Sequence, residues 1–175
     1  MNATGSIVLI GMMGAGKSSV GRRLQKRTGL ARMDIDEMLV AEAGIPIAQI
    51  FATLGENKFR DAETQLLRKL EPTRPSIVVT GGGVVLRAEN VDLLKTLGTI
   101  VWLTADELTL FERASRRNDR PLLQKENPRV VYAELLRERE PLYAAAADIQ
   151  INTSQKTHDE VAEIILNKLG ELAAR

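Results

Sequence analysis

The strongest limit on what this chain can fold into is the run Gly11-Met12-Met13-Gly14-Ala15-Gly16-Lys17-Ser18. It follows the apolar stretch Ser6-Ile7-Val8-Leu9-Ile10 and opens an amphipathic stretch from Ser18 to Thr28 that stops at Gly29. A strand, a glycine-rich turn and a helix in that order are the context in which G-x-x-x-x-G-K-[ST] carries meaning. Glycines let the backbone curl so that successive N–H groups point into one hollow. The N-terminus of the following helix adds a partial positive charge there. Lys17 supplies a point charge, and Ser18 a hydroxyl for a divalent cation. Met12 and Met13 fill variable positions and are expected only to pack. The run therefore predicts a site for a nucleoside triphosphate and Mg²⁺, formed by Gly14, Ala15, Gly16, Lys17, Ser18 and Ser19.

The rest of the chain repeats the strand-then-helix alternation. Ala31–Asp34 reads as a second strand, and Glu37–Ala43 as a helix ended by Gly44. Pro46–Leu54 and Glu56–Leu70 read as helices separated by Gly55. Ile77–Thr80 is a β-branched strand running into Gly81-Gly82-Gly83. A helix over Ala88–Leu97, stopped by Gly98, leads to a strand over Thr99–Leu103. Thr104 and Glu107 have capping-box spacing and predict a helix to about Arg116. Asn118–Asn127 reads as an exposed loop. Pro128–Leu142 reads as a helix, Ala147–Ile151 as a fifth strand, and Thr157 and Glu160 as a second capping box. Val161, Ile164, Ile165, Leu169 and Leu172 then form an apolar stripe expected to be core. Strands alternating with helices predict an α/β fold, a five-stranded parallel sheet in a three-layer α/β/α sandwich forming one domain over 1–175. Continuous apolar strands fit a sheet covered on both faces.

Composition narrows the chemistry. The 175 residues include no Cys and one His, which excludes disulfides, a thiolate nucleophile and any Cys-based or multi-His metal site. The formal net charge of +1 excludes a large polyanion as partner. It hides a basic window, Arg113 to Arg129, which holds six basic and two acidic residues. No apolar run approaches the roughly 20 residues of a bilayer span. The N-terminus has no basic stretch leading into a leader-like apolar core, so a cytoplasmic location is expected.

Many proteins with such a loop place a magnesium-orienting Asp at the end of a buried strand. Ile77–Thr80 ends without one. Ala31–Asp34 instead presents Asp34, with Asp36 two residues on, at the strand end where α/β sheets bind ligands. Asp34 is a candidate for Mg²⁺ beside Ser18. Asp36 is a candidate to accept hydrogen bonds from a substrate hydroxyl and take its proton. The competing reading is that one of the two caps the helix that follows.

These residues carry a resemblance that spans nearly the whole chain. The loop with its trailing Ser19-Val20-Gly21-Arg22-Arg23-Leu24 is followed by Asp34-Ile35-Asp36, Ile50-Phe51, Gly55-Glu56 and Phe59-Arg60-Asp61-Ala62-Glu63. Thr80-Gly81-Gly82-Gly83, Arg120-Pro121-Leu122-Leu123 and Arg139-Glu140-Pro141-Leu142-Tyr143 complete it. This ordered set resembles the shikimate kinase family, with no element missing. The resemblance implies a P-loop kinase fold with a substrate-binding helical segment over about 34–63 and a mobile lid over about 114–126. It implies transfer of the γ-phosphoryl group of ATP to the 3-hydroxyl of shikimate, a step of aromatic amino-acid biosynthesis.

The resemblance also implies roles. Asp36 reads the substrate hydroxyls and acts as base. Arg60 and Arg139 clamp the substrate carboxylate, and Gly82 offers backbone close to the ring. Phe51 and Phe59 wall the pocket, or else are ordinary core aromatics. Glu63 orients Arg60, or else forms a surface ion pair of little value. Lys17 and Arg120 neutralise charge on the transferring group, and Arg113 stacks on the adenine, with Asn152–Gln155, including Gln155, lining its other face. Trp102 is expected in the core and His158 in solvent, neither being a site candidate. A monomer is expected. Two other readings stay open: a different small P-loop kinase, acting on gluconate or a nucleoside monophosphate, and a non-catalytic module that senses shikimate and ATP.

Overall fold

Strand β1 (Ser6–Ile10) is wholly buried and lies at the centre of the molecule. The computed structural model describes residues 5–70, 74–116 and 126–174. In chain order the other elements are α1 (Lys17–Thr28), β2 (Ala31–Asp34), α2 (Ile35–Ala43), α3 (Ile47–Lys69), β3 (Ser76–Val79) and a 3₁₀ turn (Val84–Leu86). They continue with α4 (Ala88–Leu97), β4 (Gly98–Thr104), α5 (Glu107–Ser115), α6 (Pro128–Ala146), β5 (Ile149–Asn152) and α7 (His158–Ala173). The five strands form one parallel sheet in the order β2-β3-β1-β4-β5. Val8 sits between Val78 of β3 and Ile100 of β4 in register.

That order fixes where a ligand can enter. The chain leaves β1 toward β2 through α1, then returns from β3 across β1 to β4 through α4. Right-handed crossovers in opposite directions put α1 and α4 on opposite faces. Between β1 and β3 the direction of travel reverses, and the carboxyl ends of two such strands open a crevice. The phosphate-loop run follows β1 and the triple glycine follows β3, so both reach that crevice.

The five strands, the parallel sheet and the helical layers match the expectation from sequence. Differences are local. The outer strands are not continuous apolar runs: β5 alternates buried Ile149 and Ile151 with exposed Gln150 and Asn152, as an edge strand covered on one face should. Helix α5 is capped by Asp106, not Thr104. The Asp106 side chain accepts from the Thr109 backbone N–H, and that bond leads in holding its carboxyl down at about 2. Helix α2 starts at Ile35, two residues early, and Asp34 occupies its cap position without a side-chain capping bond. Helix α6 runs on through Pro141 to Ala146. Gly55, at φ 78° and ψ 167°, breaks the helical path of α3, as its composition predicts. The Thr157–Glu160 capping box forms. On α7 the stripe is core at Val161 and Ile165, whereas Leu172 is exposed. Trp102 is buried in β4. Among the described residues no single helix is long and apolar enough to cross a membrane.

Candidate active site

The phosphate loop is shaped by positions only glycine fits. Gly11, Gly14 and Gly16 have φ of 137°, 89° and 91°. A Cβ on Gly14 would overlap the Leu110 carbonyl oxygen of α5, and one on Gly11 would overlap that of Leu103. The loop is packed from below, with Met12, Met13 and Ala15 all buried. Tyr132 Oη donates to the Met13 carbonyl oxygen at 2.6 Å. Lys17 Nζ reaches the carbonyl oxygens of Gly11 (2.6 Å) and Met12 (3.1 Å). Ser19 Oγ accepts from Arg22 at 3.4 Å.

The triple glycine carries the facing wall. Thr80 Oγ1 donates to the Leu9 carbonyl oxygen at 2.9 Å, tying the end of β3 to β1. A Cβ on Gly81 would come within 2.9 Å of Asp36 Oδ1 and 3.1 Å of Glu63 Oε1. On Gly83 it would overlap the Arg60 guanidinium, and on Gly82 it would sit 3.3 Å from the Met13 backbone N. Missing side chains thus let two carboxylates and a guanidinium lie directly against main chain. Tyr143 Oη hydrogen-bonds the Gly82 carbonyl oxygen and packs its ring on Trp102, centroids 5.9 Å apart. Burial keeps the Tyr143 hydroxyl well above its ordinary pKa, so it remains a donor.

These walls enclose a cavity of about 410 Å³. Met13 and Ser18 line it from the phosphate loop, Asp34 from the end of β2, Asp36 from α2, and Phe51, Phe59 and Arg60 from α3. Gly81, Gly82, Gly83 and Arg139 close it. Arg60 and Arg139 are 6% and 2% exposed, and the Nε of each has no acceptor among the described residues. Arg60 is aimed by Glu63 (Nη1 to Oε2, 2.8 Å) and Glu56 (Nη2 to Oε1, 3.3 Å) and lies 5.0 Å from the Phe59 ring centre. Glu63 is 0% exposed, so this is no surface pair. Burial pushes its carboxyl above the usual range, and Arg60 opposes that shift. The aromatics serve both expectations: Phe59 is buried in the core, while Phe51, 4.6 Å from it between centroids, lines the cavity.

Asp34 is buried, and its Oδ2 pairs with Arg32 Nη1 at 2.9 Å. Its carboxylate and the Ser18 hydroxyl line the same cavity. Two hard oxygen donors suit Mg²⁺, which takes one or two protein ligands and completes its shell with water and substrate phosphates. The donor set fits the ion. Asp36 lies in the first turn of α2, inside the helix, so it is not its cap.

Outside the cavity, Arg113 donates to Thr153 Oγ1 (3.1 Å) and to the carbonyl oxygens of Thr153 (3.0 Å) and Ser154 (3.2 Å). It joins α5 to the segment after β5, where Gln155 is exposed. Arg120 and most of the expected lid lie outside the described residues. Sequence reasoning gave no role to Tyr132, Tyr143, Arg22 or Arg32. The contacts of Tyr132 and Tyr143 cross from α6 to distant loops, where no local spacing announces them, whereas Arg22 and Arg32 pair with Ser19, Asp34 and Glu37 close by in the chain.

A parallel sheet with a phosphate loop at the carboxyl end of β1, facing a cavity of carboxylates and arginines, is the fold of a P-loop kinase. The comparisons name the branch. The family model for shikimate kinase matches residues 13–170. A shikimate kinase of Thermodesulfovibrio yellowstonii is 44% identical over 168 residues, covering 96% of this chain and 96% of its own. A shikimate kinase from Acinetobacter baumannii, solved in complex with shikimate, superposes with a TM-score of 0.94 at 35% identity, covering 99% of this chain and 97% of that one. The enzyme from Aquifex aeolicus superposes at 0.83 with 33% identity, covering 96% of this chain and 98% of its own. The chain belongs to the shikimate kinase family, enzymes that transfer a phosphoryl group to an alcohol.

Proposed function

We propose that this chain phosphorylates the 3-hydroxyl of shikimate with ATP, giving shikimate 3-phosphate and ADP. One observation carries the reading: a single cavity joins Ser18 of the phosphate loop to Asp36, Arg60 and Arg139. Shikimate is a small ring with three hydroxyls and one carboxylate. The buried guanidinium groups of Arg60 and Arg139, each with an Nε–H still to be satisfied, suit that carboxylate. The Asp36 carboxylate, beside Gly81 of the triple glycine, suits a hydroxyl.

The chemistry follows from these positions. Asp36 accepts the proton of the 3-hydroxyl as that oxygen bonds to the γ-phosphorus. The bond from phosphorus to the β–γ bridging oxygen breaks, and ADP leaves. The transition state is loose, so positioning and charge neutralisation carry most of the catalysis. Lys17 and the N–H groups of Gly14, Ala15, Gly16 and Ser18 receive the growing charge on the phosphate chain. Ser18 and Asp34 would hold Mg²⁺, which when bound neutralises β- and γ-phosphate oxygens. Arg120 is assigned to the same task, and Arg113, Ser19 and Gln155 to the nucleotide, on the family resemblance. A monomer in the cytoplasm completes the reading.

A coupled assay of ADP release tests it. Release should depend on shikimate. Turnover with gluconate or a nucleoside monophosphate, and none with shikimate, would move the chain to another P-loop kinase. Binding of both ligands without phosphate transfer would favour a sensing module instead.

A further inference from the structure

His158, the one histidine of the chain, has no part in the mechanism above. It is the first residue of α7 and exposed, yet one edge of its ring faces the phosphate loop. A Cβ on Gly16 would lie 3.3 Å from both Cδ2 and Nε2 of the imidazole. Three anchors hold it there. The Thr157–Glu160 capping box fixes the start of α7. The next residue, Asp159, pairs with Arg23 at 3.3 Å and reaches Arg27 at 4.0 Å, both on the helix that the phosphate loop opens. The segment before it is tied to α5 by Arg113 and by the Asp106 backbone N–H, which donates to Ser154 Oγ at 3.0 Å. The backbone that carries His158 is thus held from three elements, with the ring beside Gly16 of the loop.

The charges around it are arranged for a response. Arg113 from α5 and Arg22 and Arg23 from α1 act against a proton on the ring, and Asp159 from α7 acts for one. Lys156 precedes the capping box, Glu160 is engaged by Thr157, and the Lys17 ammonium is turned to its own loop carbonyls. Partial burial and the arginines hold the imidazole below its ordinary value of 6.5. Phosphate oxygens in the adjacent hollow would reverse that balance, since nearby negative charge favours imidazolium.

Resting on the reading of Gly11–Ser18 as a nucleotide loop, we propose that His158 is a nucleotide-positioning residue whose ring donates to a phosphate oxygen and gains a proton when nucleotide binds. A proton taken up on binding makes affinity rise as pH falls, by linkage. The pH profile of nucleotide affinity in this enzyme then carries a contribution from one side chain outside the transfer chemistry, beside the nucleotide's own phosphate titration.

A lone histidine gives a single imidazole Cε1–H signal, so untagged protein can be titrated by NMR without and with saturating Mg²⁺ and ADP. The midpoint should rise with ADP by about half a unit or more, equal to about threefold in affinity across the window. Calorimetry in two buffers of different ionisation enthalpy should show proton uptake on ADP binding that His158→Asn lacks, with ADP's own titration common to both proteins. An unmoved midpoint with ADP bound, or equal proton uptake by a His158→Asn protein of unchanged melting temperature, would overturn the inference alone. Failure of ADP to bind the wild type would remove the nucleotide reading and this inference with it.

Discussion

The two halves of the cavity are built in opposite ways. The phosphate-loop half is main chain: three left-handed glycines, buried packing residues and a tyrosine beneath. The acceptor half is side chain: Asp36, Arg60 and Arg139 projected from three helices toward a wall of glycines. A phosphate is a compact charge that any set of convergent N–H groups can recognise. A ring with a carboxylate and hydroxyls in one stereochemistry needs separately aimed groups, each oriented by a neighbour, as Glu63 orients Arg60. The first half should therefore fail as a whole when touched, and the second one function at a time.

Gly14→Val breaks the comparison hardest. Its Cβ would overlap the Leu110 carbonyl oxygen at a φ of 89°, and both elements are backbone. ADP binding should vanish and the melting temperature fall, readable by calorimetry and thermal unfolding. Asp36→Asn is the acceptor-side counterpart. Turnover should drop by about 10²–10⁴-fold, the usual worth of a positioned proton acceptor. ADP affinity and melting temperature should stay near wild type. A turnover within a few-fold of wild type would remove Asp36 as base. The smallest effect belongs to Gly55→Ala. Nothing lies within 4 Å of the added methyl, so only the backbone conformation at φ 78° opposes it. At φ 78° and ψ 167° the residue sits in a region that only glycine enters freely, so a loss of about 1–3 kcal/mol in denaturant unfolding is expected, together with a weaker grip on shikimate and unchanged ADP binding.

The same division decided what the sequence could tell. The phosphate loop, the strands of the sheet and the Thr157–Glu160 cap are local patterns, and each forms within two residues of where spacing put it, β5 starting at Ile149 instead of Ala147. Gly55 was legible as a break because glycine between two amphipathic runs has few other uses. Where two local signals competed, the sequence could not choose. Thr104 offered capping-box spacing, but it is the last residue of β4, and Asp106 takes the cap. The helix read as Pro128–Leu142 runs on to Ala146, because packing of Tyr143 and Ala146 carries α6 through Pro141. The acceptor residues were legible only as an ordered set of motifs. Nothing local joins Asp36 to Arg139, which meet because α2 and α6 open on one crevice. The braces on the main chain were not legible at all. Tyr132 reaches Met13 across 119 residues, and Tyr143 reaches Gly82 across 61.

One helix takes part in both halves. Tyr132, Arg139 and Tyr143 on α6 are spaced so that, at 3.6 residues per turn, they fall on a single stripe about three turns long. One end of that stripe touches the loop after β1, the other the glycines after β3, and Arg139, which lines the cavity, stands between. The helix works as a gauge bar that fixes the gap across which a phosphoryl group must travel. Inserting or deleting a residue within it would rotate one contact off the stripe by roughly 100° while leaving the other in place. Attempts to widen the acceptor site for a larger alcohol should therefore spare α6 and work on α2 and α3, where the walls can move without changing the span.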